Sequence, residues 1–164
     1  MSVGRVGARA AQATGRAGRT MFKESTTPDL LVDLRRSIEA INRGDYDATL
    51  ARWAPDAVLD LSPIGMDLVQ TSPRGHEAIR KLWEEVAATF SDFEIDVEEL
   101  LDLGNGVTLA VFSQRGKPRG SSVRVEMRYA GVAQRKDELV ERLTLYPDID
   151  QARAAADQLV QQRR

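Results

Sequence analysis

Between Val107 and Tyr146 large apolar residues recur at alternating positions, with no helical period among them. Three runs separate there, Val107 to Arg115, Ser122 to Arg135 and Glu138 to Tyr146, each rich in Val, Leu, Tyr and Phe and bounded by polar turn residues. Such runs read as half-buried strands. Just upstream, Phe93, Ile95, Val97 and Leu101 alternate with Asp92, Glu94, Asp96 and Glu98, so 92–102 predicts a strand with an acidic solvated face. Leu103-Gly104-Asn105-Gly106 then turns the chain back. Long antiparallel strands in succession twist, and to bury their apolar face they must curl around something.

The rest of the chain has a helical period. Thr27-Pro28-Asp29 combines a capping hydroxyl with a proline at the first helical position, and Leu30, Leu31, Leu34, Ile38 and Ile41 follow on one stripe. Gly44 stops that helix by accepting the left-handed conformation. Asp45 caps a shorter one that turns Tyr46, Leu50 and Trp53 inward and ends at Pro55. Ala57 to Leu61 predicts a short strand. The loop from Ser62 to Pro73 carries Ile64, Met66, Leu68 and Val69, which fit either a packing flap or a lid over a cavity. From Gly75 to about Phe90 a helix places Ile79, Leu82, Trp83, Val86 and Phe90 on one face. Pro147 breaks the last strand, and Asp148 and Gln151 start an Ala-rich terminal helix. The class is α+β: a strongly bent antiparallel sheet packed against N-terminal helices, with a C-terminal helix.

Composition narrows the chemistry. The 164 residues suit one domain and include no Cys and a single His, His76, which removes disulfides, thiolate nucleophiles and multi-histidine metal sites. Neither a cofactor nor a metal is expected. At His76, in the first turn of a helix, the readings are a cap or solvent-facing side chain and, against it, a catalytic imidazole. The formal charge of −2 hides an asymmetry, because Arg5, Arg9, Arg16, Arg19 and Lys23 against Glu24 leave +4 on residues 1–27 and −6 on the remainder. An acidic folded part argues against a nucleic-acid surface. Residues 1–26 read as a disordered basic tail and 27–162 as the folded domain. For the first 20 residues a translated tail, an Arg-rich organelle presequence and a nucleic-acid arm all stay open. No apolar run approaches the roughly 20 residues of a membrane helix, so the expectation is a soluble, cytoplasmic protein.

Ile41-Asn42-Arg43-Gly44-Asp45-Tyr46, then Trp53-Ala54-Pro55-Asp56-Ala57-Val58, then Arg74-Gly75-His76-Glu77-Ala78-Ile79, and finally Tyr146-Pro147-Asp148 before a helix, resemble the SnoaL-like branch of the nuclear transport factor 2-like (ketosteroid isomerase-like) superfamily over roughly residues 28–160. The resemblance implies a cone-shaped fold, a mostly apolar pocket at its open end and frequently a homodimer. It also implies where chemistry would sit. The isomerases' Asp base falls on Leu61, their oxyanion-hole Tyr on Ser37 and their protonated Asp near Ala130. The epoxide hydrolases' water-holding pair falls on Leu59 and Leu61, their Arg and Asp on Phe112 and Gln114, and their second Asp on Leu145 or, with a slip, Thr144. A leucine neither accepts a proton nor holds a water, so neither mechanism runs with its usual parts. Asp60 neighbours the base position, but the period of two turns it to the opposite face, where it reads as a solvated strand-edge charge.

The expected pocket lining is Tyr46, Trp53, Leu59, Leu61, Trp83, Phe112, Gln114, Arg128 and Leu145, with core filling as the competing role of the aromatics. Whether Arg128, Glu126 and Gln114 share a concave face depends on the turn after Arg135. A two-residue Lys136-Asp137 turn sets Arg128 and Ala130 beside Leu145 and Leu143; a three-residue turn through Glu138 sets Met127 and Tyr129 there. Burial of one face by helices and the other by a second subunit reconciles the two patterns. The leading expectation is a pocket for a small hydrophobic molecule without a recognisable catalytic set. Beside it stand an isomerase, cyclase or hydrolase using Arg128, Glu126 or Tyr46, and a dimeric interaction module with a filled pocket.

Overall fold

The computed structural model describes residues 27–65 and 72–163. Helices α1 (Thr27–Asn42) and α2 (Tyr46–Leu50) precede β1 (Trp53–Asp60), a 3-10 turn at Ser62–Ile64 and α3 (His76–Ala88). Strands β2 (Phe90–Gly104), β3 (Val107–Pro118), β4 (Val125–Lys136) and β5 (Leu139–Tyr146) then lead to α4 (Ile149–Gln162). The α+β order is the one the periodicities predict. The basic segment 1–26 and Met66, Leu68 and Val69 of the apolar loop lie outside the described residues. No helix among the described residues is long and apolar enough to cross a membrane.

One sheet runs β1-β5-β4-β3-β2, antiparallel except between β1 and β5. Its curl comes from β2, whose pairing with β3 slips at Phe90/Asp92, Val97/Glu99 and Asp102/Gly104. Each extra residue bends the strand and increases its twist. Onto the concave side the α1 stripe brings Leu30, Leu31, Leu34 and Ile38, packed on Ile95, Leu100, Ala110, Phe112 and Tyr129. Asn42 fastens the end of α1 to the edge strand: its Nδ2 donates to the Ile95 carbonyl at 2.9 Å, and the Ile95 amide donates to its Oδ1 at 2.9 Å. This amide satisfies an edge that would otherwise present open backbone groups. Two of the expected caps form, Asp45 accepting from the Ala48 amide and Asp148 from the Gln151 amide, whereas Thr27 is the first residue of α1 itself.

Trp53 lies in β1 rather than in the second helix expected from the periodicity, because the chain leaves the helix at Leu50 and the Val140 amide donates to the Arg52 carbonyl at 3.0 Å, recruiting Trp53 opposite Val140. Parallel pairing with a strand more than eighty residues away outweighs a local helical stripe.

The β4–β5 hairpin settles which face is concave. Asp137 and Glu138 form its two-residue loop, with φ of 52° and 67°. Arg135 pairs with Val140 but Gln134 pairs with Arg142, so a bulge at Glu141 shifts the parity. Gly131 therefore faces Leu145, and Ala133 faces Leu143. The odd-numbered side of β4 is concave, reached through a different turn from either one expected. Tyr129 is buried there, whereas Met127, beyond the reach of β5, stays 44% exposed.

On the convex side, α4 covers one half through Ala152 and Ala156, which seat directly on Val107, Leu109, Ala130 and Val132. The other half carries ion pairs, among them Arg128 with Glu98 at 2.8 Å, Arg115 with Asp96 and Arg124 with Asp92. The apolar half of the outer face is thus covered by the chain's own terminal helix.

Candidate functional site: an apolar cavity with a charged rim

Helix α1 crosses the concave face without filling it and leaves a cavity of about 140 Å³. Apolar cavities of about 150 Å³ take up a benzene-sized molecule. Space persists because the sheet floor carries small residues, Ala110, Gly131 and Ala133, between the large ones. A Cβ on Gly131 would already lie 2.9 Å from a Leu143 methyl and 3.2 Å from one of Leu145.

Five of the expected lining residues meet in this cavity: Trp53, Leu59, Trp83, Phe112 and Leu145. The two indoles contact edge to face, with ring centroids 5.5 Å apart at 89°. Four others do not line it. Tyr46 and Leu61 are buried with Leu50, Ala57 and Ile79 in the core between α2, α3 and β1. Tyr46 stacks behind Trp83 at 5.8 Å, and burial, with the Glu84 charge second, raises its phenol pKa. Leu61 follows the last residue of β1, where the chain bends into the 3-10 turn and leaves the sheet. Gln114 is on the concave side, opposite Met127, but its Oε1 is taken by the Tyr129 hydroxyl at 3.0 Å. Arg128 and Glu126 are on the convex side, since the bulge at Glu141 assigns the even positions of β4 outward; Arg128 pairs with Glu98 at the surface. Neither serves the cavity, and an exposed pair of this kind contributes little.

The positions carried over from the resemblance divide the same way. Ser37, Leu59, Phe112 and Leu145 face the cavity; Ala130 lies under α4, its inward neighbours being Tyr129 and Gly131. Asp60 points away from the cavity, as the period of two requires. It is not a solvated edge charge, however: it is 9% exposed and accepts from the Ser62 amide at 2.9 Å, the Ser62 hydroxyl at 2.7 Å and Arg142 at 2.7 Å. His76 acts as a tie, its Nε2 lying 3.0 Å and 3.1 Å from the Trp53 and Ala54 carbonyls, both acceptors, which joins α3 to β1.

Residues outside the expected set complete the wall. Asp33 on α1, Arg52 before β1 and Arg135 on β4 bring charge to the rim, with Asp33 and Arg52 ion-paired to each other. The carboxylate among the described lining residues comes from α1, where the sequence reading expected none. Asp33 flanks the stripe one helical turn before Ser37, a signal present in the sequence. Arg135 carried none, because its orientation follows from the bulge.

Burial pushes the Tyr129 phenol well above its ordinary value, so it stays neutral and donates to Gln114. Tyr129→Phe removes that bond and leaves the amide oxygen short of a partner, an expected loss of about 1 kcal/mol in urea unfolding. An unchanged midpoint would mean the bond contributes nothing.

No curated protein matches the sequence. Several solved structures share the fold. A Mycobacterium tuberculosis protein in complex with estradiol-17beta-hemisuccinate is 19% identical, with a TM-score of 0.59 over 73% of this chain and 94% of that one. A ketosteroid isomerase-like protein of Catenulispora acidiphila in complex with trimethylamine is 13% identical, with a TM-score of 0.61 over 79% and 93%. TerC, co-crystallized with polyporic acid, is 13% identical, with a TM-score of 0.61 over 79% and 98%. The sequence profile of the SnoaL-like domain matches residues 34–143. With that match spanning α1 to β5, and with the curled sheet enclosing a cavity, the chain belongs to the SnoaL-like domain family.

Proposed function

We propose that this protein binds a small hydrophobic molecule in the cavity between α1 and the sheet, and that it does so without the catalytic set of the superfamily's isomerases or epoxide hydrolases. The observation that carries the reading is the strand wall itself, where Leu59, Phe112 and Leu145 stand at positions that the resemblance assigns to reactive side chains. The ligands named for the structural neighbours support the same kind of site. Asp33, the one carboxylate lining this cavity among the described residues, is ion-paired with the partly exposed Arg52.

Both tryptophans of the chain line the cavity, so their emission reads its occupancy. Burying a six-carbon ring is worth about 4 kcal/mol, a Kd on the order of 1 mM. Titration with cyclohexanemethanol is expected to give a saturable emission change. Ala110→Leu, which projects a larger side chain into the space, is expected to weaken it more than about tenfold, since interiors accommodate added volume poorly. A change that does not saturate, or that Ala110→Leu leaves intact, removes the cavity as the binding site.

A further inference from the structure

We infer that the cavity selects hydrophobic molecules that carry a carboxylate, and that Arg135 is the anchor. The inference rests on the binding reading above and adds the chemistry of the polar end. Three charged residues line the cavity, and two of them, Asp33 and Arg52, satisfy each other. Arg135 is the remainder. It is half-buried, and no carboxylate among the described residues pairs with it; its Nη2 donates to the Glu138 carbonyl at 3.5 Å, the outer limit of a hydrogen bond. A guanidinium with five donors and a permanent charge is thus left at the cavity rim without an acid beside it.

Its position is held by backbone rather than by salt links. The Arg135 amide donates to the Gly106 carbonyl at 2.8 Å, and the residue pairs with Val140, another lining residue. On the other side of Val140, the Arg52 carbonyl takes the Val140 amide, so the two arginines flank one strand residue at the rim. On the convex face the arrangement is the opposite: Arg115, Arg124, Arg128 and Arg153 each meet an acid. A ligand ring occupying the space beside Trp53 and Phe112 would place a carboxylate on its edge next to the free guanidinium. One planar fork matches one carboxylate in charge and geometry.

The test compares cyclohexanecarboxylate with cyclohexanecarboxamide, which share a ring and differ in charge, by calorimetry on the full chain. The wild-type protein is expected to prefer the carboxylate about tenfold, the size of a charge-assisted contact. In Arg135→Met the ratio of the two dissociation constants should fall close to one. Arg135→Gln, which keeps a polar tip, carries the same expectation and serves where the methionine variant does not fold. Equal affinities in the wild type, or a preference that survives both substitutions, overturn the inference while leaving the binding reading standing. Absence of binding by either compound overturns both.

Discussion

Gly106→Ala is expected to lower the stability of this protein by about 3 kcal/mol, read as a shift of the urea midpoint without change of slope. Two costs add. Gly106 sits at φ +77°, where a side chain is strained, and an added Cβ would lie 2.6 Å from the Arg135 carbonyl oxygen and 3.1 Å from Nη2 of Arg163. The oxygen is backbone in the neighbouring strand and cannot swing aside. Gly104→Ala isolates the first cost, since Gly104 has φ +84° but nothing within 4 Å of the added atom; it should lose only about 1 kcal/mol. If the two variants unfold together, the close approach of the turn to β4 is not a source of rigidity. The same contact fixes Arg135 at the cavity rim through the Gly106 carbonyl, so Gly106→Ala should also reduce the preference for carboxylate ligands.

The second large effect is electrostatic and depends on pH. Burial alone would raise the pKa of Asp60, but the Ser62 hydroxyl and amide and the Arg142 guanidinium outweigh it and bring the group from 3.8 to about 2. A carboxyl whose folded pKa is depressed stabilises the folded state above its unfolded value and loses that contribution as acid protonates it. The contribution is therefore complete above about pH 4 and disappears as pH falls to about 2. Nearly two units correspond to about 2 kcal/mol after allowance for the partly exposed Arg142. Asp60→Asn should lose that amount at neutral pH and show a flatter stability profile between pH 4 and 2. Parallel profiles for parent and variant would refute the assignment, and a double-mutant cycle with Arg142→Met should recover a coupling of at least about 1 kcal/mol.

How much of this was readable beforehand differs between fold and site. The caps at Asp45 and Asp148, the α1 stripe and the alternation of β2 as far as Val97 are local and appear where the chain predicts them; beyond Val97 the slipped pairing turns Leu100 to the cavity and puts Leu101, expected on that face, under α4. The cavity was half readable. Trp53, Leu59, Trp83, Phe112 and Leu145 converge because large apolar residues on adjoining inward faces must meet. Tyr46 and Leu61 are equally apolar and equally inward, yet pack into the core beside the cavity, and no residue property separates the two fates.

Composition and periodicity by themselves determined that this chain forms helices around a curled antiparallel sheet with an apolar interior. That much follows because spacing and burial preference act over a few residues. Only the assembled molecule decided which side of β4 faces inward, that Trp53 joins a strand, that Asp60 is buried against Arg142, and that Arg135 rather than Arg128 reaches the cavity. Each of these turns on pairing between distant strands, and a single extra residue at Glu141 reverses the orientation of the β4 side chains from Ala130 to Gln134 relative to β5.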